Sequence, residues 1–533
     1  MDREVGTQEP DAGEIRLVIA ASSAGTLFEW YDFFIYGTLA PFIAAAFFPS
    51  DNATLSLLLT WAGFAIGFGF RPLGAVLFGY WGDRLGRKYT FLVTVVLMGI
   101  ATAGVGLIPS EETIGLAAPV IIILLRIAQG LALGGEYGGA ATYVAEHSPP
   151  EKRGFYTGFI QASVVAGFVL SVAVVLACRA LIPADAFASW GWRVPFWLSI
   201  ALLAISLWMR LKLNESPVFR AMKAEGRTSA NPFVESFTYP GNKRRILVAL
   251  FGVTCGLTIT FYTAVFASLS FLKGPMRVTD NVAEVLVGIG ALASVGTLVW
   301  FGRLSDRIGR RKPILWGYVA AIVLLFPLFW GLAALANPEL ARAQRDHPVT
   351  LAGPGCEYDP LASQQAAECA RLMASLTDRG IPYDAEPAGA LAIRFGDESI
   401  SLAATGNLPL VERELTARGF IGPDQVPPPA NMVGIVLIVF VLGALTGATF
   451  GPVAALLTEM FPARIRYSSM SIPYHIGAGY FGGFLPLISA YIVARTGDLL
   501  AGLWYTFILL VVAFVVAWSG LPKGPPRDFV EVD

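Results

Sequence analysis

Charge is what this chain lacks. Only 14% of its 533 residues are Asp, Glu, Lys or Arg, against about a quarter in a soluble domain. So little polar surface cannot cover a globule of this length, and a disordered chain or a coiled coil is excluded with it. The formal net charge of −1 offers nothing to an anionic partner, so nucleic acid is excluded. Four cysteines are too few for a disulfide scaffold. No secretory leader is expected either. Residues 1–16, MDREVGTQEPDAGEIR, hold five acids and two arginines where a basic n-region would stand, and no small-residue cleavage site follows. There is no phosphate-binding loop, metal-ligand cluster or nucleophile elbow; GLALGG and GGEYGG read as glycine packing faces. The expectation is neither an enzyme nor an ATP-driven pump, with no cofactor and no metal.

What is present is hydrophobic. Apolar residues make up 55%, and mean hydropathy is +0.61. A helical membrane span needs about 20 mostly apolar residues. Twelve such runs lie near 17–47, 54–81, 89–108, 116–146, 154–182, 191–211, 246–272, 281–302, 313–336, 431–460, 467–495 and 499–520. Membrane-barrel strands would show alternating segments of about 10 residues, so the fold class expected is all-α, a polytopic membrane protein with twelve transmembrane helices. Lys and Arg collect in alternate short loops: Arg84, Arg87 and Lys88 after the second run, Lys152 and Arg153 after the fourth, seven between the sixth and seventh, and five after the eighth. Loops 48–53 and 109–115 have none. The bias of Lys and Arg toward the inner face makes both termini cytoplasmic.

The loop GYWGDRLGRK (79–88) returns as GRLSDRIGRRK (302–312), with Asp83 and Asp306 separated by 223 residues. A second pair of landmarks, Glu146 with Glu459 and Arg153 with Arg466, is separated by 313. Two copies of six spans explain both, if about 90 extra residues lie between the landmarks of the second copy, in the segment 336–430. Parallel six-helix repeats are the plan of one large transporter class. The GDRLGRK loop, its second copy and the twelve spans resemble the major facilitator superfamily. GTLFEWYDFFIYG (25–37), FRPLGAVLFGYWGDRLGRK (70–88), RIAQGLALGGEYGG (126–139) and GPVAALLTEMFPARIRYSSMS (451–471) are similar to its metabolite:proton symporter branch. The insertion departs from the family's pattern.

The domain expectation is a cytoplasmic tail (1–16), a six-helix half (17–211), a cytoplasmic linker (212–245), helices 7–9 (246–336), an external insertion between helices 9 and 10 (337–430), helices 10–12 (431–520) and a cytoplasmic tail (521–533). The insertion holds thirteen acids and seven arginines, with no lysine. Its LVERELTARGF (410–420) reads as a short amphipathic helix, and the whole as a small, partly ordered cap. The repeat arithmetic leaves the twelve-span core complete without it. Cys356 and Cys369 both fall there, and an oxidising compartment favours a disulfide between them over two free thiols. Cys178 and Cys255 fall in spans and read as packing residues.

Charges inside a bilayer cost several kcal/mol, so each one in a span is a functional candidate. Glu29 and Asp32 stand i, i+3 on one helix face, which Tyr36 continues, roughly 18 and 22 Å into the core. Two carboxylates there would share one proton, a proton-coupling device; the alternative is a fixed pairing with an arginine. Arg126 lies at a similar level and offers a planar fork to a carboxylate, with Gln129 on its face. It is the substrate anchor expected, or else a partner for Glu29 or Asp32. Arg71 and Glu136 read as an inner gate or a structural pair. Tyr262, His475 and Gln161 are further cavity candidates. In the superfamily the GDRLGRK loop latches the two halves. The resemblance therefore implies gating roles for Asp83, Arg84 and Arg87, and a weaker latch for Asp306 and Arg310, whose copy departs at Ser305.

The function expected is proton-coupled import of a small organic acid or zwitterion, a mono- or dicarboxylate or a solute such as proline or betaine, by alternating access. The setting expected is the inner (plasma) membrane, with lipid bilayer and protons as the other partners and the chain a monomer. An uncoupled facilitator or exchanger on the same fold is the alternative, and a membrane sensor the more distant one.

Overall fold

The structure, a computed structural model, describes residues 12–525 except 86, 136, 212–230, 388 and 404. The expected roles of Glu136 and of the side chains of Asp83, Arg84 and Arg87 lie outside the described residues.

The first half runs through α1 (Ala12–Thr38), α2 (Ala40–Phe47), α3 (Ala53–Gly69), α4 (Arg71–Leu85), α5 (Arg87–Val105), α6 (Ala117–Gly134), α7 (Tyr137–Glu146), α8 (Arg153–Leu181) and α9 (Val194–Leu211). The second runs through α10 (Asn242–Lys273), α11 (Asp280–Ile308), α12 (Arg311–Ala336), the inserted domain, α13 (Pro429–Phe450), α14 (Val453–Met460), α15 (Arg466–Thr496) and α16 (Leu503–Gly520). Ten helices among the described residues are long and apolar enough to cross a membrane, and each matches one of the expected runs. The two remaining runs are also helical. One is α1 with α2, which carries Glu29 and Asp32; the other is α5, whose apolar stretch is the shorter Leu92–Val105.

Breaks in the long helices have local causes. Pro72 has no N–H to give to the carbonyl of Phe68, and the second run bends between α3 and α4. Wide, π-type turns occupy Thr263–Ala267 and Gly477–Gly483. They follow directly on Tyr262 and closely on His475, and such turns recur at functional sites.

The halves meet along two seams. On one, α8 lies against α11: Gly154 on Gly302, Gly158 on Val299, Val172 on Gly288. On the other, Phe68 is pressed against Gly479 and Gly483 of α15, and Tyr480 Oη donates to the Gly69 carbonyl at 3.2 Å. We call the end of the bundle that carries the inserted domain the cap end, and the end where Leu211 leads toward Asn242 the linker end.

The inserted domain is more ordered than its composition suggested. Strands β1 (Val349–Ala352), β2 (Asp384–Glu386), β3 (Ala392–Phe395) and β4 (Glu398–Ser401) form one sheet of order β2-β1-β3-β4, with only β1 and β2 parallel. Leu351, Ile393 and Phe395 point into a core shared with Leu372, Met373 and Leu376 from Glu368–Asp378 and with Val411 and Leu415 from Leu408–Ala417. Cys356 and Cys369 are joined in a disulfide, their Cα atoms 4.8 Å apart. The domain is fastened to the second half by Arg277, whose guanidinium donates to the carbonyls of Phe420, Gly422 and Arg379. These bonds hold Arg277 at φ 50°, a left-handed conformation that no other non-glycine residue adopts among those described. The domain also reaches the first half. Asn52 caps α3 through its side-chain oxygen, at 3.1 Å from the Leu55 N–H, while its Nδ2 donates to the Ala362 carbonyl at 2.9 Å. Thr54 Oγ1 donates to Asp378 Oδ1 at 2.5 Å.

Two outcomes follow for this domain. Replacing Cys356 and Cys369 together by Ser removes a loop closure over a separation of 13 residues, which for a loop of this size is worth about 3 kcal/mol. Limited proteolysis should then cut within 340–426 markedly faster than in the parent, and unchanged cleavage would show that the bridge carries no stability. Separately, the Asn407 backbone N–H on Glu368, with Arg371 beside it, holds that carboxyl below the usual range. The stability it adds is fully present above the ordinary Glu value of about 4.3 and is lost as pH falls from there through its lowered value. Glu368→Gln should therefore flatten the acid side of a proteolysis-against-pH profile of the domain.

Candidate functional site

At the centre of the bundle two arginines are buried with guanidinium nitrogens to spare. Arg126 in α6 is 0% exposed. Its Nη1 donates to Gln129 Oε1 at 2.6 Å, and Gln129 Nε2 passes the chain on to Thr102 Oγ1 at 2.8 Å. Its Cζ stands 4.3 Å from the ring centres of both Phe33 and Tyr36 and 5.4 Å from that of Phe64. Nε and Nη2 have no hydrogen-bond partner. Room for the group exists because Gly67 faces it: a methyl there would stand 3.2 Å from Nη2. The Tyr36 hydroxyl, also without a partner, fits only because residue 63 is Gly.

Arg71 opens α4. It too is 0% exposed, and none of its three guanidinium nitrogens has a partner. It lies over Phe68 at 5.0 Å and Trp30 at 5.2 Å. Tyr474, Tyr262, Tyr137 and His475 lie within electrostatic range of it. Tyr137 and Tyr474, from opposite halves, stack at 3.5 Å, and Gln161 Nε2 donates to Tyr137 Oη at 2.7 Å. Both ring nitrogens of His475 and the hydroxyl of Tyr262 are buried without partners. Tyr262 links the two clusters through rings: it packs edge-on against Phe64, which faces Arg126, at 6.4 Å and against Phe68, which faces Arg71, at 5.5 Å.

Thus Tyr36, Arg126 and Gln129 come together as the sequence predicts, and Tyr262, His475 and Gln161 join them through Arg71. The sequence reading sets Arg71 beside Glu136, which lies outside the described residues; the structure places Arg71 over Phe68 and Trp30. Asp32 is buried but lies beside Ser199 of α9 rather than against Arg126. The face of α1 turned to Arg126 holds Phe33 and Tyr36. Glu29 is buried on the same helix.

At the linker end the repeat landmarks pair crosswise between the halves. Arg153 Nη1 meets Glu459 Oε1 at 3.0 Å, and Arg466 Nη1 meets Glu146 Oε1 at 3.3 Å. Arg310 binds Glu459 at 2.8 Å and Asp306 at 2.5 Å. Asp306 also accepts from the Gly154 and Phe155 N–H groups at the start of α8, at 2.8 and 2.9 Å. The sequence reading does not count Glu146, Glu459, Arg153 and Arg466 as site residues; their equal spacing of 313 is the signal that could have found them.

A family model of the Major Facilitator Superfamily matches residues 23–340, more than half of the chain. The chain belongs to the Major Facilitator Superfamily. The match ends where the inserted domain begins, just past α12. Superfamily members of known name are similar to it. The proline/betaine transporter of Escherichia coli K12 is 34% identical over 326 residues, which is 60% of this chain and 65% of that protein. The shikimate transporter of the same strain is 36% identical over 346 residues, 63% of this chain and 77% of its own. Its inner membrane metabolite transport protein YhjE is 29% identical over 499 residues, 91% of this chain and 90% of its own. A partially occluded inward-open structure of the E. coli xylose transporter XylE superposes with a TM-score of 0.61 at 15% identity, covering 96% of this chain and 98% of that one. The superfamily fold is thus established, and the chain is a multi-pass membrane protein of a transporter family.

The site depends on close backbone approach, which can be tested. A methyl on Gly130 would stand 1.8 Å from the Gly67 carbonyl oxygen, whereas one on Gly139 meets nothing nearer than the Tyr467 ring at 3.6 Å. Gly130→Ala should lower the thermal unfolding midpoint in detergent, at a cost of about 1–3 kcal/mol or more. Gly139→Ala should be neutral or slightly stabilising, since Ala favours helix by about 1 kcal/mol over Gly. Equal midpoints would show that α3 and α6 are not packed this tightly.

Proposed function

We propose that this protein is a secondary transporter that carries a small carboxylate-bearing metabolite across the inner membrane, in symport with protons, by alternating access. The observation that carries the proposal is the pair of buried arginines, Arg126 and Arg71. Among the described residues no carboxylate bonds either one. An arginine cannot shed its charge, and a buried, unpaired ion costs several kcal/mol. Aromatic faces offset about 2 kcal/mol each at best and leave the N–H donors unsatisfied. A planar, anionic acceptor fits that need.

In this reading Arg126 holds the substrate carboxylate, with Gln129 and Tyr36 beside it. Tyr262, His475, Gln161 and Arg71 complete the site from the other side. The aromatic wall of Trp30, Phe33, Phe64 and Phe68 suits the apolar or ammonium part of a zwitterion such as proline or betaine. Mono- and dicarboxylates remain within the class. Asp32 or Glu29 carries the proton. All twelve helical runs cross the bilayer, α5 and α1 with α2 included. Both termini face the cytoplasm and the inserted domain faces outside. Arg153, Glu459, Arg310, Asp306, Arg466 and Glu146 form the inner gate, with Asp83, Arg84 and Arg87 in the first copy of the loop and Glu136 near it.

One observation favours a second reading, an uncoupled facilitator or exchanger. Asp32 lies against α9 and not against Arg126, so its protonation has no direct contact through which to reach the substrate.

Uptake into proteoliposomes, with labelled carboxylates and zwitterions and with or without an imposed pH gradient, separates the two. Gradient-driven accumulation is expected, lost in Asp32→Asn or Glu29→Gln while exchange persists. Arg126→Lys keeps the charge but loses the fork, so it should weaken binding by about 10- to 150-fold, the equivalent of one charge-assisted hydrogen bond. Accumulation by both carboxylate variants would take proton coupling out of α1. Unchanged binding by Arg126→Lys would remove the anchor.

A further inference from the structure

The helix pair α8 and α11 is closed at both ends by an acid of α11. At the linker end that acid is Asp306, which receives the first N–H groups of α8. At the cap end it is Glu284, 0% exposed and one turn into α11. Glu284 Oε1 accepts from Lys273 Nζ at 2.5 Å and stands 3.4 Å from Nη1 of Arg179. Lys273 belongs to the same half as Glu284, at the end of α10. Arg179 belongs to the other half, near the end of α8, where its guanidinium also bonds Asp280 at 3.2 Å and Asn281 at 2.9 Å. The rings of Phe42 and Phe187, both of the first half, lie 5.3 and 5.4 Å from it and keep it there. Deeper along the seam the contacts are only small or apolar, Val172 on Gly288 and Gly158 on Val299.

We propose that Glu284 is the positioning residue of the cap-end gate: it holds the two halves together there through Arg179. The inference rests on the alternating-access reading above. When this end opens, Arg179 leaves with the first half. Opening breaks the contacts of Arg179 with Glu284, Asp280 and Asn281 together, but Glu284 keeps Lys273 and is not stranded as a bare buried charge. The contacts of Asn52 and Thr54 with the inserted domain form a second closure over the same end. Because α11 meets α8 through an acid at each end, Glu284 and Asp306, releasing Glu284 favours the state in which Asp306 is engaged.

The test reads accessibility, not uptake, so its failure is distinct from a failure of the transport reading. In a Cys178→Ser background, Val172→Cys puts a thiol on the seam, two turns below Arg179. Native Cys255, buried in the second half against Tyr318, is the internal control. A membrane-impermeant maleimide is added from the cap side. Glu284→Gln should label position 172 at least about tenfold faster than the parent, with Cys255 still protected. Arg179→Gln breaks the same contact from the other half and should do likewise, which serves if Glu284→Gln fails to insert. Unchanged labelling at 172 in the two variants would overturn the proposal. Equal acceleration at 172 and at Cys255 would also overturn it, because Glu284 would then support the fold in general and no gate.

Discussion

A guanidinium group carries its charge everywhere, and this protein buries two at the middle of an apolar bundle. Much of the structure can be read as what that burial requires. Glycines at 63 and 67 make room for the Tyr36 hydroxyl and the Arg126 fork. Gly130 lets α3 and α6 approach to backbone contact beside them. Aromatic rings face both cations, and Gln129, backed by Thr102, fixes one nitrogen of Arg126. A centre built this way is costly to leave without an anion, and in the proposed function that cost gives a carboxylate its purchase.

Around this centre the closures sit at the two ends. At the linker end each repeat lends an arginine to the other repeat's glutamate, Arg153 to Glu459 and Arg466 to Glu146. The exchange is symmetric because the chain is two copies of one unit. It couples the halves, and Arg310 holds Glu459 from within the second copy as well. At the cap end the closure is not a copy of anything in the repeat. It uses Glu284, Lys273 and Arg179, together with contacts from the inserted domain.

The fold was largely legible because its signals are long. Ten apolar runs became ten helices, and a difference of two spacings put the insertion between α12, which ends at Ala336, and α13, which begins at Pro429. The insertion's own sheet was not legible: its strands are three or four residues long, too short for an alternation to show. The site was legible where chemistry is local, as in Arg126 with Gln129 three residues on. It was not where packing between helices decides. A count along one helix does not show that Arg71 lies over Phe68 and Trp30. Asp32 and Tyr36 share a helix face on paper, yet only Tyr36 faces Arg126. Glu284 was passed over because an acid so near a helix end reads as a surface residue until its neighbour from the other half is seen.

The most direct measurement compares carboxylates with isosteres in which an uncharged group replaces the carboxylate, as competitors of uptake: proline against prolinamide, betaine against choline, shikimate against its methyl ester. If the buried arginines hold a carboxylate, the acid of whichever pair the protein recognises should compete, and its partner should be weaker by about 100-fold or more, as for a site whose buried charges are left unpaired. An isostere that competes as well as its acid would contradict the role given to Arg126 and Arg71.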